Sequence, residues 1–139
     1  MFFNGVEIPN ELLRALRDNE VVFFCGAGVS FPPPSNLPMF DGLAMQIAGV
    51  DKLPQDEKED AFLGGLSRNG TNVHELAARI LLNRESAPTD LHHDLLRLFR
   101  RPEHVRIVTT NFDRHFSTAN TKVFRKNRFF WQLRGSTLN

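Results

Sequence analysis

The pattern of hydrophobic and polar positions along the chain predicts strands and helices in alternation. Residues 21–25 and 105–109 are short, continuous runs rich in β-branched and aromatic residues, which is typical of buried strands. Hydrophobic residues at helical spacing predict helices that follow Pro9, Asp41, Asn72 and Thr89, and a further helix that begins within residues 111–117. The proline-rich segment 31–38 is predicted to be an extended loop. The acidic segment 51–60 is a solvated connection or the exposed start of a short helix.

Particular residues are predicted to mark the ends and faces of these helices. Asp41 and Asn72 are placed to cap the helices that follow them. The helix that starts at residues 88–90 should end before Pro102, with Arg100 and Arg101 in its last turn. Its predicted apolar stripe consists of Leu91, Leu95, Leu98 and Phe99. Near the end of the chain, residues 122–124 and 129–131 are predicted to form short strands.

The order strand, glycine loop, helices and strand favours an α/β fold, with a parallel sheet flanked by helices. A chain of 139 residues is expected to form one domain over residues 1–139. The single cysteine, Cys25, has no partner for an internal disulfide, which fits a reducing, cytoplasmic setting. No apolar run approaches the ~20 residues needed to cross a bilayer, so a membrane-spanning segment is not expected.

Charge is distributed unevenly along the chain. Residues 1–113 carry 11 Lys/Arg and 16 Asp/Glu, whereas residues 114–139 carry six Lys/Arg and no acidic residue. A basic tail can contact nucleic acid, or it can lie against an acidic surface of its own protein. No DNA-reading helix or stacking aromatic motif accompanies the charge, so a nucleic-acid partner is not expected.

The first predicted strand runs directly into a glycine loop, Gly26-Ala27-Gly28-Val29-Ser30. Glycine lets the backbone come within contact distance of a phosphate group, and exposed N–H groups after a strand can bind it. The loop lacks the third glycine of the dinucleotide-binding fingerprint. A tight turn that merely ends the strand is therefore an equal alternative.

The second predicted strand runs into a polar loop, Thr109-Thr110-Asn111-Phe112-Asp113. Ligand groups gather at the carboxyl edge of open α/β sheets, and these short side chains can orient ribose hydroxyls or water. The alternative is a helix cap, with Thr110 or Asn111 at the N-cap and Asp113 in the first turn. If the two strands lie side by side in a parallel sheet, both loops converge on one crevice.

These two loops, together with Asn36-Leu37-Pro38-Met39-Phe40 between them, resemble the sirtuin family motifs G-A-G-[IV]-S, G-[IL]-P-x-F and T-x-N-x-D in the same order. The resemblance spans about residues 20–117. The T-T-N-[FY]-D form of the last motif is typical of the sirtuin-like domains of prokaryotic defence proteins. Met39 stands where deacylases usually have Asp, and one cysteine cannot build their four-cysteine zinc module. A protein deacylase is therefore the less favoured member of the family.

The resemblance implies a Rossmann-type domain that binds NAD and hydrolyses it to nicotinamide and ADP-ribose, in the setting of anti-phage defence. It implies no metal, and a second copy or a defence-system protein as partner. The residues it implies for binding the diphosphate and adjacent ribose are Gly26, Ala27, Gly28 and Ser30. Pro38 and Phe40 would line the nicotinamide side, with Thr110 in the same loop as the catalytic candidates. Asn111 would orient the ribose or the attacking water, and Asp113 would support the nicotinamide pocket.

The family pattern is lost after Ser117. The family has a catalytic His in an H-G-S segment, and here Arg134 stands at the corresponding position before Gly135 and Ser136. Arginine stays protonated near neutral pH and cannot act as a base. Residues 118–139 therefore read as a divergent basic tail, the truncated or frame-altered end of a longer protein. An inactive nucleotide-sensing or protein-interaction module is the alternative to an active hydrolase.

Overall fold

A computed structural model describes residues 2–3 and 5–134 of the chain, with side chains described for residues 5–124. Over this part the architecture is a mixture of helices with two small sheets. The strands are β1 (Phe2–Phe3), β2 (Val6–Glu7), β3 (Phe23–Cys25) and β4 (Ile107–Thr109). The helices are α1 (Asn10–Arg17), α2 (Phe40–Ala48), α3 (Glu59–Arg68), α4 (Val73–Leu81), α5 (Asp90–Arg97) and α6 (His115–Arg134). No helix in the described ranges has the length and apolar character that would span a membrane.

Strands β3 and β4 are neighbours in a parallel two-stranded sheet, although four helices separate them along the chain. Phe23 pairs with Ile107, and Cys25 pairs with Thr109. The prediction of two parallel strands is confirmed, and both are shorter than the five-residue runs that predicted them. Because the strands run in the same direction, the loops that follow them leave from one edge of the sheet.

The sheet is covered on one face. Phe23 and Ile107 point towards the core cluster formed by Leu96, Phe99, Ala119 and Phe124 of α5, α6 and the residues beside them. On the opposite face Phe24 is 81% exposed and Val108 is 46% exposed. The expectation that residues 21–25 are buried on both faces is wrong, because successive side chains alternate and helices α5 and α6 cover only one side.

A second packed region lies in α2, α3 and α4, which contact one another. Leu43, Ala44 and Ile47 of α2 are buried there. Helix α2 begins at Phe40 with Met39 as its N-cap, so the prediction that Asp41 caps it is wrong; Asp41 lies in the first turn. Of the two alternatives for residues 51–60, the structure shows an irregular connection through residue 58 and the start of α3 at Glu59.

The predicted stripe is only partly buried: Phe99, which follows α5, is buried in the core cluster, whereas the helix itself buries a different face. His92 and Leu96 are buried, whereas Leu91 and Leu98 are 48% and 46% exposed. The leucine pattern was misleading because a hydrogen-bonded histidine takes the inward position one turn before Leu96. The helix ends at Arg97, which is the basic residue of its last turn, so the placement of Arg100 and Arg101 there is also wrong.

Helix α6 runs through residues 122–124 and 129–131, so the prediction of short strands there is wrong. Phe116, Ala119 and Val123 pack against the core at helical spacing, and this tertiary contact overrides the β preference of the local sequence. The side chain of Arg134 and the whole of residues 135–139 lie outside the described residues. The predicted correspondence with an H-G-S segment therefore stays a prediction.

The Asn72 cap of α4 is confirmed and supports a stability prediction. Its Oδ1 accepts a hydrogen bond from Glu75 N at 3.2 Å, and its Nδ2 donates to Glu75 Oε2 at 3.0 Å. Asn72→Ala is expected to lower the free energy of unfolding by about 1 kcal/mol, measured by urea denaturation. Asn72→Ser keeps an acceptor for the Glu75 N–H and should retain most of the stability; equal losses in both variants would contradict the cap.

Candidate functional site

A cavity of about 200 Å³ opens where β3 and β4 end. Its walls are mainly apolar and come from the two loops, the proline segment and helices α2 and α4. Seven of the nine residues predicted for the site line it: Ala27, Ser30, Pro38, Phe40, Thr110, Asn111 and Asp113. Gly26 and Gly28 precede Ala27 and Ser30 in the same loop and are not among the lining residues. The predicted convergence of the two loops is thus present in the structure.

The glycine loop forms a short 3₁₀ turn over Ala27–Ser30, held by a hydrogen bond from Val29 N to Gly26 O at 3.2 Å. Gly26 has φ −101° and ψ −170°, a conformation open to any residue, and Gly28 does not have a positive φ either. A Cβ atom added at Gly26 or Gly28 would meet no heavy atom within 4 Å. Neither backbone strain nor contact with the described residues requires glycine at these two positions.

The proline segment is held by hydrogen bonds to the glycine loop on one side and to residues 86–87 on the other. Leu37 N donates to Ser30 O at 3.0 Å, and the Leu37 side chain is buried. Ser35 Oγ donates to Ala87 O at 2.6 Å, and Ser86 Oγ donates to Ser35 O at 2.6 Å. These bonds fix the segment before α2, so that Pro38 and Phe40 form one wall of the cavity.

The polar loop that follows β4 is joined to the end of β3 by hydrogen bonds. Cys25 O accepts from Thr109 Oγ1 at 2.9 Å and from Thr110 N at 3.3 Å. Helix α6 begins only at His115, whose N–H donates to Asp113 Oδ1 at 2.9 Å. The alternative that Thr110 or Asn111 serves as the N-cap is therefore wrong. Asp113 holds the helix start and also lines the cavity.

Ser30 is the centre of a hydrogen-bond network at the floor of the site. It is 2% exposed, and its Oγ lies 2.8 Å from Asp113 Oδ2, 3.3 Å from Asn111 Nδ2 and 3.3 Å from His92 Nε2. A hydroxyl has one proton to donate, and the carboxylate receives it. The hydroxyl proton is therefore directed to Asp113, and the contact of Ser30 with phosphate or ribose that the resemblance implied stays a prediction.

His92 is a member of this network that sequence reasoning missed. Its ring is fully buried between Ser30, Thr89 and the rings of His115 and Phe116. Burial, together with the nearby His115, lowers the pKa of His92 to about 4, and Asp113 opposes this shift. The imidazole is therefore neutral at physiological pH. The available signal was position: residues 92 and 96 lie one helical turn apart, on the buried side of α5.

His115 is the second buried histidine of the site, 7% exposed at the start of α6. Its Nε2 lies 2.8 Å from Ser86 Oγ. Because Ser86 gives its proton to Ser35 O, the imidazole N–H is the donor to Ser86. Burial lowers the pKa of His115 as well, partly offset by Asp113. This histidine ties the proline segment to α6.

A larger cavity of about 520 Å³ continues from the first between α2, α3 and α4. Phe40, Leu43, Leu81 and Phe112 line both cavities. Within the described part of the chain no group of three or more His, Cys, Asp or Glu side chains is arranged to hold a metal ion. Cys25 is buried, and burial raises the pKa of its thiol.

The comparisons with known proteins give one homologous segment. No family model and no solved structure matches the chain. Uncharacterized protein y4cA of Sinorhizobium fredii is 34% identical over 128 residues, an alignment that covers 83% of this chain and 10% of that protein. The chain therefore spans about a tenth of the length of the curated relative it matches. The relative thus contains a segment that is homologous to this chain, and the name of the relative states no activity.

Proposed function

We propose that this domain binds NAD at the carboxyl edge of the β3–β4 sheet and hydrolyses it to nicotinamide and ADP-ribose. The observation that supports the proposal is the convergence of the glycine loop, the proline segment and the Asn111–Asp113 loop on one cavity. In this proposal the parallel strand pair belongs to a Rossmann-type sheet of the sirtuin-like, defence-associated kind, working in the cytoplasm. Its partner would be a second copy or another protein of the same defence system.

The glycine loop is suited to the diphosphate of NAD. Gly26 and Gly28 have open space where a side chain would project, so the backbone is accessible to a ligand. The cavity of about 200 Å³ is smaller than the roughly 300–1,000 Å³ pockets that drug-sized ligands fill. We therefore place only the nicotinamide and its ribose inside it, with the diphosphate across the loop.

The polar loop is suited to stabilising the transition state. As the bond between nicotinamide and ribose breaks, its electron pair leaves with the now neutral nicotinamide and positive charge develops on the ribose. Asp113 supplies a nearby carboxylate, and the apolar walls keep bulk water out. Water adds to the ribose carbon and releases a proton to solvent. Asn111 holds a ribose hydroxyl or this water in position.

Binding without turnover is the second candidate, and a specific observation favours it. His92 and His115 are neutral but already hydrogen-bonded to Ser30 and Ser86, and Asp113 accepts two hydrogen bonds. The Nε2 atom of each histidine already carries a proton, and water would have to compete with an existing hydrogen bond at each oxygen of Asp113. Incubating the chain with NAD and following nicotinamide release separates the candidates: binding without release supports a sensor.

Gly26→Ala tests the proposed diphosphate site. The backbone at Gly26 accommodates alanine, so the free energy of unfolding should be maintained or slightly increased. The new methyl group would occupy ligand space and weaken NAD binding by about tenfold, a loss of ~1.4 kcal/mol. Calorimetric titration gives the affinity, and the NAD-dependent rise in melting temperature gives an independent measure.

Gly65→Ala is the matched control, because Gly65 lies in α3, its added Cβ would have ordinary contacts, and it lines neither cavity. Its NAD affinity should equal that of the wild type. If the Gly26→Ala variant binds NAD as tightly as the control does, the glycine loop is not part of the NAD site. A wild-type chain whose melting temperature is unchanged by millimolar NAD would contradict the proposed function itself.

A further inference from the structure

We infer that His92 is a positioning residue, which through Ser30 determines that Asn111 presents its amide oxygen to the cavity. The inference deepens the proposed function and rests on it for the identity of the ligand, a ribose hydroxyl or water. The proton arrangement behind it is a property of the ligand-free protein. The hydrogen-bonded series of side chains begins with His92 near the N-terminus of α5 and ends with Asn111 at the cavity wall.

The first step is the protonation of the His92 ring. Thr89 N lies 3.1 Å from Nδ1, and a backbone N–H can only donate, so Nδ1 is an acceptor without a proton. The Thr89 hydroxyl, whose Oγ1 lies 2.7 Å from the same nitrogen, is then a second donor to it. The neutral ring then carries its single proton on Nε2. Nε2 faces Ser30 Oγ at 3.3 Å, and the imidazole therefore donates to the serine.

The second step is the orientation of the Ser30 hydroxyl. Its proton goes to Asp113 Oδ2 at 2.8 Å, and one of its two acceptor sites is filled by His92. The other accepts from Asn111 Nδ2 at 3.3 Å. If Ser30 donated to His92 instead, the Asp113 carboxylate would lose this hydrogen bond. Because Nε2 of His92 already carries a proton, it cannot accept one from Ser30, and the Ser30 hydroxyl therefore donates to Asp113.

The hydrogen bond to Ser30 also fixes the orientation of the Asn111 amide. Because Nδ2 is directed to Ser30, the amide oxygen is the atom left for the cavity. It accepts no hydrogen bond from the described part of the chain, and Asn111 lines the cavity wall. A hydroxyl or water in the cavity thus meets a fixed acceptor. The other charged or titratable groups around His92 are Asp113 before α6, His115 on α6 and His93 on its own helix.

The ligand-free wild-type chain, labelled with ¹⁵N-histidine, provides the first test. The imidazole ¹⁵N shifts of His92 should show a proton on Nε2 and none on Nδ1 at pH 7. A ring protonated on Nδ1, or on both nitrogens, would overturn the inference. This measurement needs no variant and no NAD, so its result is independent of whether the proposed function is right.

Variants of His92 provide the second test, with calorimetric NAD affinity as the measurement. His92→Phe keeps an aromatic ring but removes the donor to Ser30, and affinity should fall about tenfold, the typical effect of one hydrogen bond. His92→Gln offers an N–H to Ser30 and a carbonyl to Thr89, and should restore most of it. His93→Gln, one residue along, is the control and should bind as the wild type does.

A double variant separates positioning from general destabilisation. If His92 acts through Asn111, then His92→Phe and Asn111→Ala together should cost no more affinity than Asn111→Ala alone. Fully additive losses, or a folded His92→Phe variant with wild-type affinity, would overturn the inference. A wild-type chain that does not bind NAD but shows the Nε2 proton would instead contradict the proposed function and leave the proton arrangement intact.

Discussion

Asn111→Ala is expected to lower the rate of nicotinamide release from NAD by about 10²–10³-fold, the usual cost of removing one preorganised polar group from a transition state. The Asn111 side chain is held by Ser30 at 3.3 Å in the wall of the cavity, so its amide needs no reorganisation when charge develops on the ribose. Removing it leaves the helices and the sheet unchanged. The loss of turnover should exceed the loss of NAD affinity, which is expected to be about tenfold because one hydrogen-bond acceptor is removed.

Asn111→Asp distinguishes the amide from a merely polar group. It replaces the donor to Ser30 by a second carboxylate beside Asp113, and like charges at this distance repel. We expect a loss of turnover at least as large as for alanine. Gln46→Ala is the control, since Gln46 is an exposed amide on α2 that lines neither of the two site cavities. A release rate within twofold of the wild type in Asn111→Ala would remove Asn111 from the catalytic role.

The position of the site could be predicted from the sequence because its residues follow strands directly. Parallel strands place their carboxyl ends at one edge, so the loops after Cys25 and Thr109 had to meet once the strands paired. The identity of the ligand came from resemblance alone.

His92 could not be predicted because the local pattern favoured another face of its helix. Leu91, Leu95 and Leu98 have helical spacing, and hydrophobic periodicity gives no weight to a histidine that packs inward through hydrogen bonds. Its hydrogen-bond partner Ser30 lies 62 residues away in the chain. Only the tertiary structure brings them together.

The exposed face of the β3–β4 sheet is a second feature that the local sequence pattern could not predict. Residues 21–25 form a continuous apolar run, which is typical of strands covered on both sides. Phe24 is nevertheless 81% exposed, because the described helices beside the sheet lie on the Phe23 face. A local pattern reports that a strand can be buried, and the surrounding elements decide how much of it is.

Acidification from pH 7 to pH 4 is expected to lower the free energy of unfolding by on the order of 2–3 kcal/mol through His92 alone. The folded-state pKa of His92 is about 4, whereas the unfolded chain has the ordinary value of 6.5. As pH falls below 6.5, the unfolded state takes up the proton first. The stabilisation is therefore complete above pH 6.5 and is lost progressively down to about pH 4, where the folded protein begins to take up the proton as well.

Urea denaturation across this pH range, with His92→Gln as the comparison, isolates the effect. Carboxylates also titrate in this window, so the informative quantity is the difference between the two pH profiles. That difference should shrink by on the order of 2–3 kcal/mol between pH 7 and pH 4, since glutamine takes up no proton. Gln46→Ala, at an exposed residue without a titratable side chain, is the control and should run parallel to the wild type. Parallel profiles for wild type and His92→Gln would mean that folding does not shift the pKa of His92, which would contradict the lowered pKa of the buried ring.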